Sequence, residues 1–260
     1  MTTTNPYAAP KAAVADETVF QNADFVPGGQ SRPAGHGWTW IADGWELFKR
    51  QPGLWIGMWL LFVVIFIAVG IIPFLGMVTG IFWPVFVAGF AIGSRALDEG
   101  GEMELGHLFA GFRERLGTLL AVGALSFVAS LVVGMIVGLA VVGGMFAMMG
   151  ASPEAMAAAG GTTVLLAVLI TIALLLPVMM AVWFAPPLIV FQQQGAIEAM
   201  KQSFIGCLRN IVPFLIYGVI GFVLLFVAML PLGLGLLVVG PVFTASVYTG
   251  YRDIYLKPRP

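Results

Sequence analysis

Residues 51–94 read QPGLWIGMWLLFVVIFIAVGIIPFLGMVTGIFWPVFVAGFAIGS and contain no Asp, Glu, Lys, Arg or His. Three further tracts share this property, and they cover residues 116–153, 155–197 and 210–251. Of the 260 residues in the chain, 60% are hydrophobic and 10% are charged, whereas about 25% of the residues in an ordinary soluble domain are charged. Apolar tracts of this length predict an all-α, polytopic integral membrane protein.

The lengths of the four tracts predict how often the chain crosses the membrane. A helix needs about 20 apolar residues to cross the hydrocarbon core, so the first and last tracts are each long enough for two crossings. The two middle tracts, separated only by Glu154, supply one each. Four long helices are the alternative, but such rods would measure about 60 Å and would be interrupted by prolines. We therefore predict six transmembrane helices in three hairpins, with approximate spans 54–73, 78–97, 118–142, 164–190, 212–231 and 233–253.

The positions of the basic residues predict the orientation. All 12 Lys and Arg residues lie outside the three hairpin tips, and cytoplasmic loops carry the excess of such residues. Both termini are therefore expected in the cytoplasm. Residues 1–36 are rich in Thr, Asn, Ala, Pro and Gly and are predicted to form a disordered cytoplasmic tail. The membrane domain is predicted at residues 37–256, and residues 257–260 would form a short cytoplasmic tail.

A repeated phrase indicates an internal duplication. Residues 84–95 read PVFVAGFAIGSR and residues 241–252 read PVFTASVYTGYR, with Pro, Val, Phe, Ala, Gly and Arg at the same six positions. A weaker copy, PVMMAVWFAPPL, occupies residues 177–188. Each copy lies in the second helix of a predicted hairpin.

A short amphipathic segment precedes each hairpin, as expected of helices that lie in the membrane interface. We therefore predict three parallel pseudo-repeats, 37–98, 103–191 and 196–256, with an insertion around residues 145–161 of the second. The apolar stripes comprise Trp38, Ile41, Trp45 and Phe48 in the first segment, Leu105, Leu108, Phe109, Phe112 and Leu116 in the second, and Ile197, Met200, Phe204, Leu208 and Ile211 in the third.

Four arginines are candidate contacts for lipid headgroups. Arg95 and Arg252 end their predicted helices at headgroup level, where a cation meets both the helix C-terminus and lipid phosphate. Arg113 and Arg209 lie in the amphipathic segments at the same membrane surface. Ordinary anchoring by the positive-inside rule is the alternative explanation for these residues.

Few polar side chains fall within the predicted spans. The densest group is Thr244, Ser246, Tyr248 and Thr249, and we expect these residues to line any polar cavity between the hairpins. Hydroxyl groups in helices often bond to their own backbone instead, so a role in helix packing is the alternative.

No residue pattern predicts catalysis. The four tracts lack the ionisable side chains that mark proton pathways and intramembrane hydrolases, and no nucleophile elbow, zinc-protease helix or phosphate loop occurs. His36 and His107 are the two histidines and Cys207 is the single cysteine, which is too few for a metal cluster. We expect no enzymatic activity, cofactor, metal or nucleic-acid partner. Membrane lipids are the expected partners, and the oligomeric state stays open.

Four phrases together carry a family resemblance: GWELFKRQPGLWIGM, RALDEGGEMELGHLFAGFRERLG, SFIGCLRNIVPFLIYG and PLGLGLLVVGPVFTASVYTGYRDIY. They resemble an uncharacterised family of proteobacterial six-helix integral membrane proteins. That family is broadly similar to the membrane domain of membrane-anchored glycerophosphodiester phosphodiesterases. The resemblance implies a fold and a place in the bacterial inner membrane, and it transfers no catalytic residue.

Two functional hypotheses follow. The first is a non-enzymatic inner-membrane protein that binds lipid or acts as a scaffold in envelope homeostasis. The second is a channel or exporter of a small molecule, whose path would run between the three hairpins near residues 244–249.

Overall fold

The chain folds into helices throughout the part that the structure describes. A computed structural model describes residues 25–72, 75–147, 149 and 152–257. The α-helices in these ranges are α1 His36–Arg50, α2 Pro52–Gly70, α3 Leu75–Asp98, α4 Ala110–Arg113, α5 Leu116–Ala147, α6 Pro153–Trp183, α7 Ala185–Gln192, α8 Ala196–Arg209, α9 Ile211–Met229 and α10 Leu236–Tyr255, and a 3₁₀ helix, Leu105–Phe109, precedes α4. Among the described residues there is no strand, and Phe25 and Leu256 form an isolated antiparallel bridge. The predicted all-α class is confirmed.

Five helical segments are long and apolar enough to cross a membrane. They are Pro52–Gly70, Thr79–Asp98, Leu116–Phe146, Gly160–Gln192 and Ile211–Met229. The sixth predicted span, 233–253, corresponds to α10, which has 20 residues but is not one of these five segments. The second half of α10 carries hydroxyl and charged side chains, and most of its residues are buried against other helices. A helix enclosed by protein does not need an apolar surface.

The second hairpin differs from its predicted outline. Of the insertion expected around residues 145–161, residues 145–147 belong to α5 and residues 153–161 belong to α6, so both helices extend beyond the predicted spans at this end. The predicted span 164–190 is not one continuous helix, because α6 ends at Trp183 and α7 begins at Ala185. Pro186 and Pro187 occupy the first turn of α7, where a missing N–H costs no intrahelical hydrogen bond.

The helix α10 lies at the centre of the core. It packs against α1, α2, α3 and α9. Ala245, Tyr248, Tyr251, Ile254 and Tyr255 on α10 are all buried. The aromatic side chains of α10 therefore fill the space where the first and third hairpins meet.

The amphipathic segments pack through small residues. In α1, Gly37 and Gly44 are buried, while Trp38 and Trp45 of the predicted apolar stripe are 55% and 42% exposed. A Cβ atom added at Gly37 would lie 2.1 Å from the carbonyl oxygen of Pro213 in α9. Small residues let helix backbones approach this closely. Ile41 and Phe48 of the same stripe are buried, so the stripe is divided between the protein and the outer face.

The other two segments share this arrangement. In the segment Leu105–Arg113, Gly111 is buried while Leu105 and Phe109 are exposed. In α8, the residues facing the protein are small, and they are Ala199, Ser203, Gly206 and Cys207. Ile197 and Leu208 lie on the exposed side of α8.

Glycines also meet the two closest copies of the repeated phrase. A Cβ at Gly111 would lie 2.1 Å from the carbonyl oxygen of Val85, and a Cβ at Gly44 would lie 2.8 Å from that of Val242. Val85 and Val242 both follow the proline that opens the phrase. An amphipathic segment thus crosses α3 at the same place in the phrase as another crosses α10.

Residues 25–35 form a strap, here called the N-terminal strap, across the ends of α8 and α10. The backbone N–H of Val26 donates to the carbonyl of Tyr255 at 2.8 Å, and that of Gln30 donates to the carbonyl of Ile254 at 2.9 Å. The Asn210 side chain accepts from the backbone of Arg32 at 2.8 Å. The prediction of a disordered tail is therefore wrong for residues 25–36, because their backbone polar groups bond to the helices. Residues 1–24 and 258–260 lie outside the described residues.

Candidate functional site

The arginine of the second repeated phrase joins three helices at the polar end of the bundle, where α3 and α10 terminate. The Arg252 guanidinium donates through Nη2 to Oδ2 of Asp43 in α1 at 3.0 Å and through Nη1 to Asp98 in α3. The Tyr248 hydroxyl donates to Oδ2 of Asp98 at 3.0 Å. The Asp98 side chain is only 10% exposed. This Arg252 cluster holds α1, α3 and α10 in register.

The pKa of Asp43 reports how well the Arg252 cluster stabilises its carboxylate. Burial raises the pKa of Asp43 above its ordinary value, and the neighbouring Arg252 cation opposes this shift without cancelling it. The negative charges of Asp253 and Asp98 raise the pKa of Asp43 further. One arginine therefore serves two carboxylates, and it compensates only in part for the burial of Asp43.

A second cluster, centred on Asp253, fastens the N-terminal strap. The Asp253 carboxylate accepts from Arg32 Nε at 3.0 Å and from the indole N–H of Trp40 at 2.8 Å. His36 Nδ1 lies 2.8 Å from the same carboxylate. Arg32 also donates to the Asp253 carbonyl at 2.9 Å. Asp253 thus ties the strap and α1 to the end of α10.

The arginines predicted to contact lipid have different surroundings. Arg95 donates through Nε to Glu99 at 2.8 Å, and its guanidinium carbon lies 5.2 Å from the centre of the Phe191 ring. Arg252 is occupied by the two carboxylates described above. Both residues therefore use their charge within the protein, at the ends of α3 and α10.

Of the other two predicted arginines, Arg209 binds protein groups and Arg113 does not. The Arg209 guanidinium donates to the carbonyls of Gly28 and Gly29 at 3.1 and 2.6 Å, so it helps to hold the N-terminal strap. Arg113 is exposed. Within the described ranges, the Arg113 side chain makes no hydrogen bond or ion pair. Of the four predicted arginines, Arg113 is the one whose charge points away from protein partners.

The hydroxyl groups predicted to line a cavity are bonded inside the helix packing. The Thr244 hydroxyl donates to the carbonyl four residues earlier at 2.9 Å, and the Thr249 hydroxyl donates to the Trp40 carbonyl at 2.8 Å. Ser246 pairs with the buried Tyr217 hydroxyl at 2.7 Å. Thr249, Tyr248 and Ser246 thus join α10 to α1, α3 and α9, whereas the Thr244 bond stays within α10.

The sequence reasoning missed the residues that organise the polar end. Asp43, Asp98 and Asp253 carry both clusters, and Arg32 was assigned to a disordered tail. The sequence contained a signal for two of these aspartates: Asp98 directly follows the second predicted span, and Asp253 directly follows Arg252. Acidic residues that flank an arginine at the end of a buried helix indicate ion pairs within the protein.

A shallow apolar groove lies between α5 and the start of α8. It has a volume of about 590 Å³, is open to the outside, and is lined on the α5 side by Ala121, Ala124 and Leu125. Residues 195–198 form the opposite wall. The Arg115 guanidinium donates to the carbonyls of Gln193 and Gln194, both at 3.2 Å. A cation is therefore fixed beside one end of the groove.

Comparison with known proteins decides the location. A probable inner membrane protein of Burkholderia thailandensis is 28% identical over 196 residues, which cover 72% of this chain and 73% of that protein. This chain is an inner membrane protein with several spanning helices. No family model matches it, and no solved structure matches it either. The relative gives a location and no molecular activity.

Proposed function

We propose that this protein is a non-enzymatic lipid-binding scaffold that supports homeostasis of the bacterial envelope. The observation that carries the proposal is the outward position of large apolar side chains on all three amphipathic segments. These exposed residues are Trp38 and Trp45 on α1, Leu105 and Phe109 on the 3₁₀ helix, and Ile197 and Leu208 on α8. Helices that bind at a membrane surface bury such a face among the headgroups and upper acyl chains.

The charge beside these side chains fits an anionic membrane surface. Arg113 follows the exposed Phe109 by four residues and has no protein partner within the described ranges. Each basic residue near a membrane surface contributes about 1 kcal/mol of attraction to anionic lipid. Arg95, Arg209 and Arg252 belong to the same end of the bundle but use their donors on protein groups.

The proposed topology has six spans in three hairpins, with α10 as the sixth span and both termini in the cytoplasm. The crossings of α3 at Val85 by Gly111 and of α10 at Val242 by Gly44 support parallel repeats of one unit. The absence of Lys and Arg from the hairpin tips supports the orientation. A relationship to the membrane domain of glycerophosphodiester phosphodiesterases is part of this proposal.

Fluorescence quenching tests whether the exposed tryptophans face lipid or water. The full chain is placed in phosphatidylglycerol bilayers whose acyl chains carry bromine near the headgroup, and acrylamide is the aqueous quencher. We expect the emission lost in Trp38→Phe and Trp45→Phe to be the part that brominated lipid quenches. The buried Trp55 supplies the control, since the emission lost in Trp55→Phe should respond weakly to both quenchers. If acrylamide alone quenches the Trp38 and Trp45 emission, the proposal fails.

A deletion strain tests the cellular role. Its total phospholipid profile should change, and the full-length chain but not the Trp38→Ala/Trp45→Ala variant should restore the profile. Native mass spectrometry of the purified chain should show retained phospholipid. An unchanged profile together with a lipid-free protein would contradict the proposal.

The channel or exporter hypothesis gains no observation in its favour. Its proposed path follows Thr244, Ser246, Tyr248 and Thr249, and each of these hydroxyls donates to a protein acceptor between packed helices.

A further inference from the structure

We propose that the groove between α5 and α8 binds the acyl chain of one phospholipid whose phosphate lies beside Arg113 and Arg115. This inference deepens the proposed lipid-binding function, on which it rests, and it names the place where a single lipid is held. The groove exists because its walls carry small side chains, notably those of Ala121, Ala124 and Ala196. Larger side chains at these positions would fill it.

The groove lies near the polar end of its spanning segment. Leu116 begins α5, and Ala121 to Leu125 follow five to nine residues later, which is about 8–14 Å along the helix axis at 1.5 Å per residue. The wall they form belongs to the segment Leu116–Phe146, one of the five long enough to cross a membrane. In the proposed topology, the α5 wall of the groove therefore lies along the hydrocarbon, and the α8 wall with Glu198 lies at the interface.

The surroundings of the groove are apolar on the side that leads into the bilayer. Leu125 and Val128 on α5 are 43% and 56% exposed, and Ile197 on α8 is 76% exposed. A chain lying between them would contact apolar side chains on both sides. The volume of the groove, about 590 Å³, falls within the range of about 300–1,000 Å³ that is usual for small-molecule sites.

The fixed position of Arg115 at the polar rim favours a phosphate group. Arg115 directly precedes α5 and is held in place by the carbonyls of Gln193 and Gln194, next to the groove wall at Gly195. Arg113 lies two residues before Arg115. Glu198 is the acidic residue on the wall, and its Oε1 accepts from Gln202 Nε2 at 2.7 Å. Glu114 lies between the two arginines in the chain, so the rim carries two cations and two carboxylates. The phosphate is therefore assigned from the fixed position of Arg115 and not from an excess of positive charge.

The test fills the groove without changing its charge. The full chain, stripped of lipid in detergent, is titrated with palmitoyl-oleoyl phosphatidylglycerol and observed by native mass spectrometry. We expect Ala124→Trp to weaken the first lipid-binding step by about tenfold, since the acyl chain loses its buried surface. Leu139→Trp is the matched control, because Leu139 is exposed on the same helix at about 22 Å from Ala124, and this variant should bind as the wild type does.

A second pair of measurements tests the headgroup and covers the case in which Ala124→Trp does not fold. Arg113→Gln should reduce the preference for phosphatidylglycerol over phosphatidylcholine, with little change in binding of phosphatidylcholine. A phosphatidylglycerol analogue with a photoreactive acyl chain should cross-link the wild-type chain within residues 121–125 or 195–198.

Several results would overturn the inference. They are an unchanged first binding step in folded Ala124→Trp, an equal loss in Leu139→Trp, or cross-links that avoid both groove walls. A wild-type chain that binds no phospholipid at all would refute the proposed function itself, whereas retained binding in Ala124→Trp would refute only the groove.

Discussion

Replacing Gly123 by alanine tests the contact between the first and second hairpins. Gly123 lies on α5 and is buried against α3. A Cβ added there would lie 2.0 Å from the carbonyl oxygen of Ile81, 2.6 Å from its carbonyl carbon and 2.7 Å from its Cα. All three atoms belong to the backbone, so no side-chain rotation can relieve the contact. One of the two helices must move.

The expected magnitude is the difference between two opposing effects. Alanine favours a helix interior over glycine by about 0.5–1 kcal/mol, whereas inserting a methyl group into a well-packed interior costs about 1–3 kcal/mol. The net loss for Gly123→Ala is therefore up to about 2.5 kcal/mol, which corresponds to a decrease in Tm of up to about 10 °C for a protein of this size.

Gly134→Ala is the matched control on the same helix. A Cβ at Gly134 would have no atom within 4 Å, so only the helix-propensity gain remains, and Tm should stay unchanged or rise slightly. The measurement is thermal unfolding of both variants and the wild type in one detergent, followed by circular dichroism. Equal Tm values for Gly123→Ala and Gly134→Ala would refute the close packing of α3 against α5.

Three further predictions concern the polar groups. Asp98→Asn should lower the free energy of unfolding by about 1.5–3 kcal/mol, because Arg252 loses a charged acceptor; the exposed Glu99→Gln is the control, and equal thermal stabilities would contradict the assignment. The pKa of Asp43 is raised in the folded protein, so the contribution of this group to stability is fully present below its unfolded-state pKa and is lost as pH rises through the folded-state pKa. Asp43→Asn should therefore gain stability relative to the wild type as pH rises from about 4 to about 7. A difference in unfolding free energy between the two proteins that does not change with pH would refute this. Burial raises the pKa of the Cys207 thiol to about 12, so maleimide should label the protein, as measured by mass, only after unfolding; rapid labelling of the folded chain at about pH 8 would be the contrary result.

The spans illustrate how far sequence patterns reach. Helices α2, α3, α5 and α9 were predictable from apolar length alone, since lipid requires nearly uniform apolarity around a spanning helix. The break at Phe184 was not predictable, because Pro186 and Pro187 fit equally well within a bent helix or at the start of a new one.

The polar end shows the opposite case. The sequence predicts Arg252 as a cation at the end of a helix. A lipid phosphate or a carboxylate could bind this cation, and the sequence does not distinguish between the two. The partners that bind Arg252 are Asp43 and Asp98, 209 and 154 residues away along the chain. The pairing with Asp43 depends on the crossing of α1 over α10, which no local pattern encodes.

The amphipathic segments were predictable in part. Their 3.6-residue periodicity was visible in the chain, and it correctly separated charged residues from apolar ones. Which face would contact protein was decided by glycines such as Gly37 and Gly44, because only a residue without a side chain lets two backbones approach at the distance observed.

The sequence by itself determined that this chain is helical and spans a membrane, because contact with lipid requires long apolar segments, which are visible in the composition. The tertiary structure alone decided which charges pair, where small residues bring helices together and where a groove is left open on α5. These features depend on the relative placement of distant residues, and a one-dimensional pattern contains no information about distance across the bundle.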